Sequence, residues 1–149
     1  MKAGIDFTGI TVSFYCHDEE GYFVFHKRSE NCRDERGTWT NGGGKLEFGE
    51  SPETALKREL LEEYGCTGSI EEALPPQSFL QIRSDGSQKH WIILPYIVQV
   101  DRLEVKMNEP ESMTEIGWYK LNDLPAPLHT GIKKELVALE RYFRKFITT

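Results

Sequence analysis

The residues with the most chemical potential in this 149-residue chain are three glutamates on one short segment, Glu59, Glu62 and Glu63, with Arg58 beside them. On a helix each residue advances 100°, so the three carboxylates would fan over a sector of about 100° on one side. Like charges at i, i+3 and i+4 repel by some tenths of a kcal/mol per pair in water, and by more in a partly enclosed site. Something positive must offset that. A hard divalent cation is the natural candidate, because it prefers carboxylate and carbonyl oxygens and keeps waters that can be shared with phosphates. Taken alone, "RELLEE" also describes a glutamate-rich solvated face supported by Lys57 and Arg58. The residues before it decide between the two.

A helix to carry these side chains is written into the flanking residues. Ser51 can cap free backbone N–H groups, Pro52 tolerates the first helical position, and Gly65 can take the left-handed conformation that ends a helix. The helix is therefore expected to run to about Tyr64, with Leu60, Leu61 and Tyr64 turned from the carboxylates to hold it against a sheet. Upstream, "GITVSFYC" and "YFVFHK" read as two strands joined into a hairpin by a turn ending at Gly21. From Arg28 to Thr38 the chain is polar and aperiodic, an exposed loop. Downstream, "QSFLQIRS", a "DG" turn and "KHWIILPYIVQV" read as a second strand pair in which Pro95 marks an edge or a bulge, and "EIGWYKL" as a further strand. Ile132, Leu136, Leu139 and Phe143, at spacings of four, three and four, mark an amphipathic helix packed on the sheet. Strands interleave with two helices, so the fold class is α/β or α+β, a mixed sheet covered by helices, and the length fits one domain over residues 1–149.

Bulk properties narrow the function. A net charge of −6 argues against a broad grip on nucleic acid, so a polyanionic small substrate would need local help from a cation or a few basic side chains. Cys16, Cys32 and Cys66 are odd in number and lack CxxC spacing, which suggests neither a disulfide framework nor a zinc site but reduced thiols. No leader-like start follows Met1, and "WIILPYIV" is far shorter than the roughly 20 residues that span a bilayer. A cytoplasmic protein without a membrane partner is expected.

The stretch from Gly44 to Cys66 resembles the Nudix box of hydrolases acting on a nucleoside diphosphate linked to a moiety X. Gly44, five residues, Glu50, seven residues, Arg58-Glu59, Leu60, one residue, Glu62-Glu63, one residue and Gly65 follow its pattern. Cys66 stands where an aliphatic residue is usual, and Gly42 where proline is common, which suggests a "GGG" loop that is flexible before binding. Trp39 and "WYKLNDLP" match flanking features of the family. The resemblance implies an α/β/α sandwich and a Mg²⁺ site, with Mn²⁺ as a substitute, held by Glu59, Glu62 and Glu63 and the carbonyl of Gly43. It implies that Glu50 and Arg58 are a supporting pair. It further implies a carboxylate outside the box, with Glu111 the first candidate by its distance from Trp118 and Glu109 and Glu115 behind it.

Such a site suits attack of water on a phosphoanhydride, with Glu59 or Glu111 as general base. Lys27 and Arg28 are expected to meet the polyanion, and Leu128 and His129 to border a base, with Phe79, Trp91 or Tyr96 available for stacking. The tail is most similar to MutT-type nucleoside-triphosphate pyrophosphohydrolases, which implies a nucleotide as the small-molecule partner and a monomer or homodimer. Cleavage of ADP-ribose or a nucleotide sugar is the alternative within the family, and an inactive nucleotide-binding or sensor module the alternative outside catalysis.

Overall fold

The computed structural model describes residues 1–147. Its central strand is β1 (Gly9–His17), buried almost throughout because it is covered on both faces. It runs parallel to β7 (Gln88–Val100) from Gly9 opposite Trp91 to His17 opposite Gln99. Its other edge is shared by β4 (Gly42–Lys45), antiparallel from Thr11 opposite Lys45 to Phe14 opposite Gly42, and by the start of β2 (Tyr22–Arg28). β2 carries the sheet on to β3 (Trp39–Thr40) and β8 (Met113–Lys120). On the far side β7 pairs end to end with β6 (Gln77–Ile82) and β5 (Gly68–Ala73). The result is a mixed eight-stranded sheet.

Alternation along β1 sends side chains to two cores. Val12, Phe14 and Cys16 meet Ala55, Leu56, Leu60 and Tyr64 of α1 (Pro52–Tyr64). Tyr15 joins Phe23, Phe25 and Ile97 beneath Ile132, Leu139 and Phe143, from α2 (Thr130–Ala138), its end and α3 (Glu140–Phe143). Each large apolar side chain buried this way contributes about 1.5–3 kcal/mol. Helices thus cover both faces, as the α/β expectation required.

Five local expectations change. β1 and β2 pair only at His17 opposite Phe23, so the hairpin splays beyond its turn as β4 takes over the edge of β1 and β8 pairs with β2. Pro95 lies within a central strand, at the point where the neighbour of β7 changes from β6, ending at Ile93, to β5, beginning at Tyr96. On that side it has no register partner, so its missing N–H costs no ladder bond there. The glycine run is a paired strand: a Cβ on Gly42 would lie 2.0 Å from the Phe14 ring, and one on Gly44 2.1 Å from the Glu59 carboxyl carbon. Leu61 is exposed, and Leu56 takes the inward position assigned to it. The last helix breaks at Leu139, after which α3 and a 3₁₀ turn (Arg144–Phe146) continue the apolar face.

The expected loop begins one residue later, because Arg28 ends β2; residues 29–38 have no regular structure but are docked at their ends. Arg28 N–H donates to Thr38 O at 2.8 Å, and Glu35 accepts from the Thr130 N–H at 3.0 Å at the start of α2. Among the described residues no helix is long and apolar enough to cross a membrane.

Candidate active site

Local signals build α1 as the sequence implies. The Ser51 hydroxyl accepts from Thr54 N–H, Pro52 opens the helix, and Gly65, at φ 64°, closes it with its N–H on Leu61 O. With Leu56, Leu60 and Tyr64 facing the sheet, Arg58, Glu59, Glu62 and Glu63 are carried along the flank bordering β4.

Arg58 is the hub of this flank. Its Nε and Nη2 grip both oxygens of Glu50 at 2.7 and 2.9 Å, and Nη2 also donates to the Lys45 carbonyl at 3.2 Å. Its Nη1 donates to Glu59 at 2.8 Å and reaches Glu62 at 3.4 Å. The Arg58 guanidinium and the Glu47 N–H pull the Glu50 carboxyl down to about 2. Glu50 and Arg58 therefore tie the loop between β4 and α1 to the helix.

The other carboxylates are less well compensated. Glu63 is 8% exposed and, among the described residues, accepts only the Gly43 N–H, at 3.0 Å. Burial pushes its carboxyl well above the usual range, against that hydrogen bond, and Glu59, Glu109 and Glu62 add to the rise. Burial also lifts Glu59, beyond what Arg58 offsets, with Glu62 and Glu109 contributing. Glu109 is raised by burial and by Glu111 and Glu62. Four glutamates, Glu59, Glu62, Glu63 and Glu109, thus repel one another across one site.

Glu109 is brought there by Asn108. The Asn108 N–H donates to Glu63 O and its side-chain amide to the carbonyls of Leu61 and Glu62, occupying acceptors at the end of α1. Of the other two candidates, Glu111 offers its backbone carbonyl to Ser29 and Asn31, and Glu115 faces Lys27 at 3.9 Å. Among the described residues no three His, Cys, Asp or Glu side chains converge closely enough to hold an ion. Arg58 holds oxygens of Glu59 and Glu62, and the Gly43 N–H holds one of Glu63. The donors themselves fit a hard divalent cation: they are carboxylate oxygens in mutual repulsion, and the absent side chain of Gly44 leaves room for Glu59.

On the opposite face of the sheet, the α2 side, a cavity of about 300 Å³ opens where the second core ends. Thr11 and Ile93, then Trp91 and Phe79, are register neighbours, and together with His129 they give it apolar and aromatic walls. His129 accepts the Gly131 N–H at Nδ1, so in its neutral form it carries its proton on Nε2. Burial lowers its pKa and favours that form. Arg28 lines the cavity as expected, but its guanidinium is held by Asp34 at 2.9 Å. Lys27, Leu128 and Tyr96 do not line it. Lys27 faces Glu115, Leu128 packs into the second core beside Trp39, and Tyr96 is buried over α1. His90 bridges the Thr8 and Ser78 hydroxyls at 3.0 and 2.9 Å, a structural role.

Four residues escaped the sequence reading. Asp34 binds Lys89 at 2.6 Å; burial works to raise its carboxyl, but Lys89 and Arg28 outweigh this and hold it below the usual range. Lys89 could have been found from its i, i+2, i+4 alternation with Trp91 and Ile93 on one face of β7. Lys45 lines the cavity while its carbonyl binds Arg58, linking the two faces. Glu135, 3% exposed, accepts from Tyr15 and Ser13 at 3.0 and 3.3 Å through one oxygen, and its other oxygen has no partner among the described residues. It stands between Ile132 and Leu139 on an apolar helix face, an anomaly visible in the sequence.

Residues 8–139 match the family model described as NUDIX domain. The chain belongs to the Nudix hydrolase family. Among curated proteins it is 30% identical over 105 residues to a putative mutator protein MutT4 of Mycobacterium tuberculosis, covering 69% of this chain and 42% of that protein. It is 24% identical over 136 residues to the mouse protein named 8-oxo-dGDP phosphatase NUDT18, covering 90% of this chain and 39% of that one. The chain thus spans about two fifths of the length of these relatives. Among solved structures, a MutT Nudix hydrolase from Burkholderia pseudomallei superposes with a TM-score of 0.70 at 28% identity, covering 89% of this chain and 95% of that one. A Nudix hydrolase from Nitrosomonas europaea, at 20% identity with a TM-score of 0.71 and covering 97% of this chain and 73% of that one, shares the fold. Nudix hydrolases generally use a divalent metal, typically Mg²⁺.

Proposed function

We propose that the chain hydrolyses a phosphoanhydride in a nucleoside diphosphate linked to X, with Mg²⁺ or Mn²⁺, and that a nucleoside triphosphate is cut to the monophosphate and pyrophosphate. One observation carries this reading: four mutually repelling glutamates gather around the flank of α1, and Lys45 links that flank to an aromatic and basic cavity. A bound cation would supply neutralisation of phosphate charge and a more acidic water. Glu59, Glu62 and Glu63 would hold it, with the Gly43 carbonyl as a further donor.

This chain's own groups do the rest. Arg58 and Glu50 fix the loop against the helix so that the glutamates meet the phosphates in one register. Glu59 or the distal carboxylate takes the water proton; Glu109 fits the distal role better than Glu111, because its charge bears on Glu59, Glu63 and Glu62. Phe79 and Trp91 offer faces for a base and His129 a donor at its edge, while Lys89 and Arg28 stand near the phosphates. The buried Cys16 and Cys66 are free thiols, in keeping with a cytoplasmic setting.

Incubation with Mg²⁺ and a nucleotide panel, resolved by anion exchange, tests the reading. Monophosphate with pyrophosphate from a triphosphate supports it. Ribose 5-phosphate with AMP from ADP-ribose moves the substrate within the family, and binding without turnover of any member overturns catalysis.

A further inference from the structure

Two of the cations in the aromatic cavity are already engaged. Arg28, Lys45 and Lys89 line it, and one carboxylate, Asp34, lines it with them. One Asp34 oxygen accepts from Arg28 Nη2 at 2.9 Å and the other from Lys89 Nζ at 2.6 Å. Arg28 is drawn in further, since its Nε and Nη2 also donate to the Asp34 carbonyl, both at 3.2 Å. Burial works to raise the Asp34 carboxyl, yet Lys89 and Arg28 hold it below the usual range, so it is ionised at neutral pH. A phosphate brought to Lys89 and Arg28 therefore meets a negative charge already seated between them. Lys45 is left as the cavity's cation without an ion pair among the described residues.

The segment that delivers Asp34 is held by polar contacts and not by packing. Residues 30–37 include none that is buried. Their first part is pinned to the segment before β8, where Asn31 donates to Glu111 O at 3.0 Å and Cys32 to Ser112 O at 3.3 Å. The second part, residues 33–37, is fastened to the rest of the fold by its carboxylates. Asp34 holds the two cations, and Glu35 holds the start of α2 by accepting the Thr130 N–H at 3.0 Å and the Thr130 hydroxyl. Glu35 has a φ of 50°, in the left-handed region that a residue with a Cβ enters at a cost. A strained turn without an apolar anchor opens more readily than the packed strands beside it.

We propose that residues 33–37 are an autoinhibitory strap: Asp34 takes the place of a ligand phosphate on Arg28 and Lys89, and a polyphosphate binds by displacing it. This rests on the reading above that puts the phosphates near Arg28 and Lys89, and it adds a regulation of that site. A chain of phosphates can replace both charge-assisted contacts at once, which a single weak anion cannot. Until the strap lifts, apparent affinity is lowered by the fraction of molecules in which it is open.

Calorimetric titration at low salt, in EDTA to prevent turnover, compares ATP and adenosine with wild type and with Asp34→Asn, which keeps the side chain's volume and removes its charge. Trypsin digestion of wild type, with and without each ligand, follows cleavage after Arg33 and Arg36 by mass spectrometry. The expected result is roughly fivefold tighter ATP binding by the variant with no gain for adenosine, and faster cleavage of wild type with ATP but not with adenosine. Equal or weaker ATP binding by the variant overturns the strap, because Asp34 then serves to orient Lys89. Unchanged or slower cleavage of the ATP complex overturns it too, because the loop then stays down or closes over the ligand. If Asp34→Asn melts far below wild type, cleavage of wild type decides alone. No ATP binding by either protein overturns the strap together with the placing of phosphates at Lys89, while hydrolysis itself is decided by the nucleotide panel.

Discussion

On the α1 face of β1, Val12 and Phe14 are sealed beneath the helix, and the charged groups along its flank are wired together: Arg58 alone engages Glu50, Glu59, Glu62 and the Lys45 carbonyl. On the α2 face Tyr15 is equally well covered, yet at the Thr11 end the cover stops and a cavity opens. One strand thus backs a site rich in closely packed charge and a site with room and few committed partners. The difference teaches a division of labour: the first face is arranged to hold charge in place, the second to accept a ligand of some size. Variants on the first should change kcat and variants on the second KM.

The largest effect is expected on the first face. Glu62→Gln removes a charge and no volume from an exposed position, so kcat should fall about a thousandfold while Tm stays within a few degrees. Turnover assays beside thermal melts check this. Gly44→Ala comes next: its Cβ meets the far end of the Glu59 side chain, which can swing away, so the protein should fold and yet lose roughly a hundredfold in kcat. Gly42→Ala makes the control, since there the added carbon meets the buried Phe14 ring and should cost about 1–3 kcal/mol of stability instead. Equal loss of stability in the two variants would break the comparison.

On the second face, Phe79→Ala should raise the KM for a nucleotide about tenfold and leave kcat within a few-fold, read by steady-state kinetics. The effect expected at Glu135 is on stability and not on turnover. Burial raises its carboxyl to about 7, against the hydrogen bonds from Tyr15 and Ser13, so the folded chain keeps a proton that the unfolded chain releases near 4.5. The folded state therefore binds more protons between those values, and stability falls as pH rises through this window and stays lower above it. Relative to Glu135→Gln, wild type should lose about 3 kcal/mol between pH 4 and pH 8, measured by denaturant unfolding at each pH. A pH-independent difference would place the Glu135 carboxyl in a wetter setting than the fold suggests.

The two faces also differed in how much of them the sequence revealed. α1 and its glutamates were legible because every signal is local: Ser51 and Pro52 at one end, Gly65 at the other, and a helical period between. The splayed hairpin, the central place of Pro95 and the close packing of Gly42 and Gly44 depend on which strands meet across the sheet, and no local spacing records that. Glu111 was placed first by counting from Trp118, a spacing that carries no record of Asn108, the neighbour of Glu109, binding the end of α1. Asp34 and Lys89, 55 residues apart, form their pair only through folding. Lys27 and Leu128 were chosen from the ends of elements that proved to face Glu115 and the core.

The central claim is that these repelling glutamates stay together because a divalent ion belongs among them. Calorimetric titration of Mn²⁺ into wild type and Glu62→Gln, each with a nucleotide present, tests it most directly. The account predicts saturable binding in wild type and at least tenfold weaker binding in the variant. Equal affinity in the two proteins, or no uptake in either, would contradict it.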